Sequence, residues 1–151
     1  MEETAIWLQE LRQQGKIRHL AATNLDVARL RRIADAGVEL VTNQVQYSLL
    51  DRRAEGALSE FCGSSGLELI AFGALAGGFL TDRWLREADP EEVANRSLVK
   101  YRLIIDEFGG WDAYQHLLHT VSSIARTHGV EASAVAIRFV LDKLCCELAI
   151  E

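Results

Sequence analysis

The chain reads as an α/β protein in which parallel strands alternate with helices and a helical C-terminal segment follows. Two observations lead there. Between residues 17 and 72 short apolar runs alternate with segments of helical spacing, in the order β-α-β-α-β. Strand starts fall roughly 21–29 residues apart, and a connection holding a helix makes neighbouring strands parallel, with right-handed crossovers.

Taken in order, residues 4–14 carry Trp7, Leu8 and Leu11 at helical spacing, with Gly15 as a stop. Ile17 to Ala22 reads as a short strand, and Asn24 or Asp26 is placed to cap the helix that follows. Val27, Leu30, Ile33 and Ala34 keep helical spacing, and Gly37 ends them. Val38 to Tyr47 is the second strand. Leu58, Phe61 and Cys62 mark the inner face of a helix that ends in Gly63-Ser64-Ser65-Gly66, and Leu67 to Phe72 is the third strand.

After Phe72 the character changes. Gly73 to Gly78 is a loop of small residues, and a polar stretch with the single proline, Pro90, runs to about Arg96. Three helices follow. Leu98, Tyr101, Ile104, Ile105 and Phe108 form the face of the first. Asp112 caps the second, with Tyr114, Leu117, Leu118, Val121, Ile124 and Ala125 inward. The third, residues 132–143, is apolar on most sides, and Glu147 to Glu151 has the pattern of a strand cut short.

Composition narrows the function classes. The 151 residues are 49% apolar and 25% charged, as in ordinary globular proteins. A net charge of −6 argues against a nucleic-acid or anionic-membrane surface, and Arg29–Arg32 and Arg52-Arg53 read as solvated helix surface. Cys62, Cys145 and Cys146 give neither a disulfide framework nor a CxxC site. The opening MEETAIWLQE is not a signal peptide, and no run approaches the roughly 18 apolar residues of a membrane span. A reducing, cytoplasmic setting is the expectation.

The chemistry-bearing residues are few. His116 and His119 lie at i, i+3 but off the apolar stripe and without a third ligand, so surface histidines are expected and no metal. His128 belongs in a last helical turn, where the dipole favours it. No GxSxG elbow is present, and GALAGG matches neither a Walker A loop nor GxGxxG. Two features stand out. Small residues directly after a parallel strand let backbone N–H groups approach a phosphate, and Phe72 at the strand end offers a stacking face. Composition alone leaves a tight turn with Phe72 in the core as the alternative. The second feature is VTNQVQYSLLDRR, where amides interrupt a strand and must find partners. With a period of two, Thr42, Gln44 and Gln46 share one face and Asn43 the other.

GKIRHLAATNLDVARL, VTNQVQYSLLDRR and LELIAFGALAGGFLT resemble successive segments of the aldo-keto reductase family. YRLIIDEFGGWDAYQHLL and GVEASAVAIRFVLDK are similar to its C-terminal helices. The resemblance runs in order over residues 5–145. It implies a partial TIM (β/α)8 barrel, with residues 1–151 an incomplete aldo-keto reductase domain, and hydride transfer between NADP(H) and a small carbonyl substrate. By the same resemblance Thr23 and Asn24 hold the nicotinamide carboxamide together with Gln44. Phe72 stacks on the nicotinamide, and Gly73, Ala74 and Leu75 begin the loop that lies against the pyrophosphate. Asn43, on the opposite face, is expected to be structural. Thr23 stands where the family has serine, which keeps the hydroxyl. Phe72 replaces the usual tyrosine and keeps the ring, and Gly73 replaces a serine, leaving backbone N–H as donor.

The family's catalytic Asp, Tyr, Lys and His have no counterparts in this stretch. Tyr47 belongs to the QVQYSLLDRR segment rather than to the catalytic tyrosine's motif. A complete barrel takes about 250 residues. Three strands and the stub of a fourth would leave two sheet edges and a sheet face open, so a completing chain or an oligomer is expected. The chain is thus expected to act as an oxidoreductase only within a completed barrel. The alternative is a catalytically inactive fragment serving as a pairing or regulatory module. A small doubly wound nucleotide-binding domain fits the β-α-β order alone, but would place a glycine loop where Ala22-Thr23-Asn24 stands.

Overall fold

The computed structural model describes residues 2–90, 96–143 and 146–148. Among these, contacts group the chain into two compact units. One comprises residues 2–46, 54–72 and 146–148, and the other residues 47–53, 73–90 and 96–143.

The first unit is a sheet unit. Its strands are β1 (Ala21–Thr23), β2 (Thr42–Gln46), β3 (Glu68–Phe72) and β4 (Cys146–Leu148). They pair in parallel in the order β1-β2-β3-β4. That order runs without reversal among the described strands, whereas a doubly wound sheet reverses at its ligand-binding crevice. The helices α1 (Glu2–Gln13), α2 (Val27–Asp35) and α3 (Ala57–Ser65) belong to the same unit. Asp26 rather than Asn24 caps α2, its carboxylate accepting from the Arg29 N–H at 2.8 Å. Gly37, at φ +77°, turns the chain out of that helix. Gly66, in the left-handed region, ends α3 by donating its N–H to the Cys62 carbonyl.

Strand ends differ from the sequence expectation. β1 begins at Ala21 rather than Ile17. Leu20 is buried with Ala5, Ile33 and Val38, and its carbonyl accepts from the Val41 N–H at 2.9 Å. β2 begins at Thr42, not Val38, because Val38 is drawn into the same cluster. On α1 only Ala5 is buried, and Trp7 points outward at 57% exposure. The strand expected at Glu147–Glu151 instead covers Cys146–Leu148. Its last residues, like Cys145 and residues 91–95 of the polar stretch, lie outside the described residues.

The second unit holds α4 (Arg96–Phe108), α5 (Gly110–His128) and α6 (Ala132–Lys143). Phe79, Leu80, Ile105, Tyr114 and Leu118 are completely buried there. Phe79 meets Trp84 at 4.8 Å between ring centroids, with Trp111 and Tyr114 edge-on at 6.1 and 6.0 Å. Asp82 ties the helices together. One oxygen accepts from the Ser122 hydroxyl at 3.1 Å and the other from the Ala132 N–H, at the start of α6, at 2.9 Å. α5 starts at Gly110, so Asp112 lies in its first turn instead of capping it. Ile124 and Phe108, assigned to inner faces from spacing, are 44% and 39% exposed, and Leu141, on the helix read as apolar on most sides, is 44% exposed. Among the described residues no helix is long and apolar enough to cross a membrane.

Candidate nicotinamide-binding strand ends and phosphate-loop turn

Strand register decides which side chains share a face. Thr23 pairs with Gln44 and Gln44 with Ile70, one row across the sheet, and Gln46 pairs with Phe72 two residues further on. Successive strand residues point to opposite faces, so Thr23, Gln44, Ile70 and Phe72 are on one side and Asn43, Val45, Leu69 and Ala71 on the other. The second set is buried. In the first, Thr23 is exposed while Gln44, Ile70 and Phe72 are half-buried.

Adjacent amides in β2 therefore have different fates. The Asn43 side chain is fully buried and satisfied: its Nδ2 donates to the Leu25 carbonyl at 2.9 Å, and its Oδ1 accepts from the Leu25 N–H at 3.3 Å. Such a pair stitches β2 to the segment between β1 and α2. For Gln44, no hydrogen-bond partner of the side-chain amide is found among the described residues. The Thr23 hydroxyl is in the same position. Asn24 lies at the end of β1 with φ +55°, a conformation that asparagine tolerates better than most residues, and its N–H donates to the Gln44 carbonyl at 2.8 Å. Backbone geometry thus holds Thr23 and Asn24, at the carboxyl end of β1, beside Gln44 in the middle of β2. Gln46 shares their parity but is buried.

The loop residues Gly73, Ala74 and Leu75 belong to the helical unit. Gly73 and Ala76 close a turn, the Ala76 N–H donating to the Gly73 carbonyl at 2.8 Å. Ala74 and Leu75 are its central residues, and their N–H groups have no partner among the described residues. Ala76, Gly77 and Gly78 then have φ +50°, +65° and +96°, a run of left-handed backbone that glycine makes accessible. The Gly78 N–H donates to the Leu75 carbonyl at 3.0 Å, and the Gly78 carbonyl accepts from the Thr81 hydroxyl at 2.7 Å.

Other candidates resolve plainly. Tyr47 is completely buried and stacks on Phe139 with centroids 5.9 Å apart. His116, His119 and His128 are exposed. Among the described residues no group of three or more His, Cys, Asp or Glu side chains could hold a metal. Cys62 is a buried free thiol, its pKa pushed up by burial. Sequence reasoning left Ser48 and Asp51 unassigned. They fold residues 48–53 into a turn in which the Ser48 hydroxyl accepts from the Leu50 and Asp51 N–H groups at 3.2 and 3.1 Å. The buried Asp51 carboxylate takes two guanidinium bonds from Arg53 at 2.8 and 2.6 Å, which raises the Arg53 pKa. A serine three residues before an aspartate was the available signal.

The family model described as "Aldo/keto reductase family" matches residues 1–147. Flagellar radial spoke protein 5 of Chlamydomonas reinhardtii is 32% identical over 137 residues, which covers 88% of this chain and 26% of that protein. An NADH-specific methylglyoxal reductase of Escherichia coli (strain K12) is 36% identical over 88 residues, 58% of this chain and 27% of that enzyme. The glycerol dehydrogenase of Gluconobacter oxydans superposes with a TM-score of 0.79 at 23% identity, over 97% of this chain and 43% of that one, a likeness of fold. The chain spans less than half the length of each of these relatives.

Proposed function

Because this chain belongs to the aldo/keto reductase family, we propose that it supplies the nicotinamide-side cofactor contacts of an NADPH-dependent carbonyl reduction or alcohol oxidation in a completed (β/α)8 barrel. The observation that carries the reading is the contrast between Asn43 and Gln44. One amide is used up inside the fold, and its neighbour is held on the half-open face without a partner among the described residues. A polar strand residue in that state is suited to a ligand amide. Thr23, Asn24 and Gln44 would take the nicotinamide carboxamide and Phe72 its ring face. The N–H groups around Gly73, Ala74 and Leu75 would take phosphate oxygens. When bound, the cofactor supplies the hydride; these residues orient it and carry no proton.

In this reading residues 1–151 are an incomplete domain, and the catalytic acid comes from strands of the completed barrel, whether on the same polypeptide or on another chain. The partner is a small carbonyl compound, in a cytoplasmic setting, with neither nucleic acid nor membrane. The preference for NADPH over NADH is part of the proposal, since one relative is named as NADH-specific. A second reading is that of a catalytically inactive pairing or regulatory module. It draws on the half-open sheet face and on a relative named for the flagellar radial spoke rather than for a reaction.

Backbone amide shifts of the 151-residue chain, recorded with millimolar NADP+, separate the two. The expected result is a set of perturbations at Thr23, Asn24, Gln44 and Phe72 and along Gly73–Leu75, with those at the strand ends lost in Gln44→Leu. Shifts that stay unmoved, or move only elsewhere, overturn the cofactor reading and leave the pairing module.

A further inference from the structure

We propose that Tyr101, on α4, is the positioning residue that moulds the loop Gly73–Gly78, one edge of its ring filling the space where Gly73 would carry a Cβ and the opposite edge the space at Gly77. Its bearing on catalysis rests on the cofactor reading above. The geometry is specific. A Cβ built on Gly73 would overlap the Tyr101 hydroxyl and lie 3.1 Å from Cε1 and Cζ. One built on Gly77 would lie 2.5 Å from Cδ2 and 3.1 Å from Cε2. The approaches to the hydroxyl and to Cδ2 are too short for a real Cβ, and in the second case the obstacle is the body of the ring. Gly78, Gly66 and Gly37, equally left-handed, have nothing within 4 Å of such an atom. Positive φ alone therefore explains those glycines, whereas Gly73 and Gly77 also answer to a side chain.

Tyr101 is well placed to act as a mould. It is 5% exposed, belongs to the same core as Ile104, Ile105 and Ala76, and carries the Lys100 ammonium 4.8 Å above its ring centroid. Between the two ring contacts lie Ala74 and Leu75, whose N–H groups find no partner among the described residues, and Ala76, a non-glycine residue held at φ +50°. A left-handed alanine persists only where its surroundings over-determine it. The Tyr101 ring, fixed at both ends of the segment, supplies that constraint.

Hydrogen exchange on the chain tests this. Tyr101→Leu is expected to speed exchange of the Ala76, Gly78 and Leu80 amides about tenfold. Exchange in α5 should not change, and Tyr101→Phe, which keeps the ring, should stay within about twofold of wild type. Gly77→Ala, which retains Tyr101, is the second variant, and it should displace the Tyr101 ring resonances while leaving those of Tyr114 alone. The penalty of Gly77→Ala should also shrink in the Tyr101→Leu background. Unchanged loop exchange in Tyr101→Leu, additive penalties, or unmoved Tyr101 resonances in Gly77→Ala overturn the proposal. NADP+ titration of the same variants reports separately on the cofactor reading. A loosened loop with unaltered shifts on NADP+ addition leaves the mould standing and sinks the phosphate role.

Discussion

In the sheet unit, Asn43, Val45, Leu69 and Ala71 are buried, while the residues between them stay half-exposed. In the helical unit, Phe79 is enclosed by Trp84, Trp111 and Tyr114, and Leu80, Ile105 and Leu118 are completely buried. One region is held by a backbone ladder and by packing on one side. The other is held by interlocked aromatic and aliphatic side chains. The lesson is about where function can be placed. A side chain already committed to packing is costly to change, whereas a half-exposed strand face can hold polar groups that the fold itself does not need.

The largest test of that contrast is Phe79→Ala. Removing a ring that three aromatic partners surround is expected to cost about 3–5 kcal/mol. Urea unfolding followed by the fluorescence of Trp84 and Trp111 measures it. A loss below about 1 kcal/mol would mean that the cluster repacks and that the helical unit is no more demanding than a surface. Asn43→Ala should come next, at about 2–3 kcal/mol, since both the N–H and the carbonyl of Leu25 lose their partner. Thermal unfolding followed by circular dichroism would register it.

Tyr114→Phe is smaller and has a pH signature. The Tyr114 hydroxyl donates to the Phe79 carbonyl at 2.7 Å inside the core, so its loss should cost about 1–2 kcal/mol near neutrality. Burial raises the Tyr114 pKa above its ordinary 10.0. The folded state then keeps a proton that the unfolded state gives up. The tyrosine's contribution is complete below pH 10 and falls as the pH climbs beyond it. Stability measured upward from about pH 9 should show the gap between wild type and Tyr114→Phe narrowing. A gap that widens with alkalinity would contradict the assignment.

How much of this was legible in the sequence follows the range of each interaction. The alternation that sends Asn43 one way and Gln44 the other is local, with period two, and the strand register bears it out. Helix stops at Gly37 and Gly66 are local as well. The start of β1 is not legible locally, because Leu20 looks like a strand residue in its own neighbourhood. Its place is decided by Ala5, Ile33 and Val38, up to 18 residues away. The aromatic cluster and the meeting of Tyr101 with Gly73 and Gly77 are also long-range, and no short window encodes them. At the candidate site, periodicity gave the shared face of Thr42, Gln44 and Gln46. The cofactor roles of Thr23, Asn24, Gln44, Phe72 and Gly73–Leu75 came from resemblance to a family, because an amide without a partner does not specify which ligand completes it.

Gln44→Ala is the smallest expected effect and the sharpest. It lies one residue from Asn43 on the same strand, in the same ladder, with the same kind of side-chain amide. If the two faces differ as described, the truncation should alter unfolding by no more than about 0.5 kcal/mol, since no intramolecular hydrogen bond is lost among the described residues. The same variant should erase the NADP+-induced shifts at Thr23 and Asn24, because the amide that fixes the nicotinamide end is gone. Circular dichroism melts and amide spectra on one preparation read both quantities. A Gln44→Ala chain as unstable as Asn43→Ala would show that this amide too belongs to the fold, and the sheet would then have no face to spare for a cofactor.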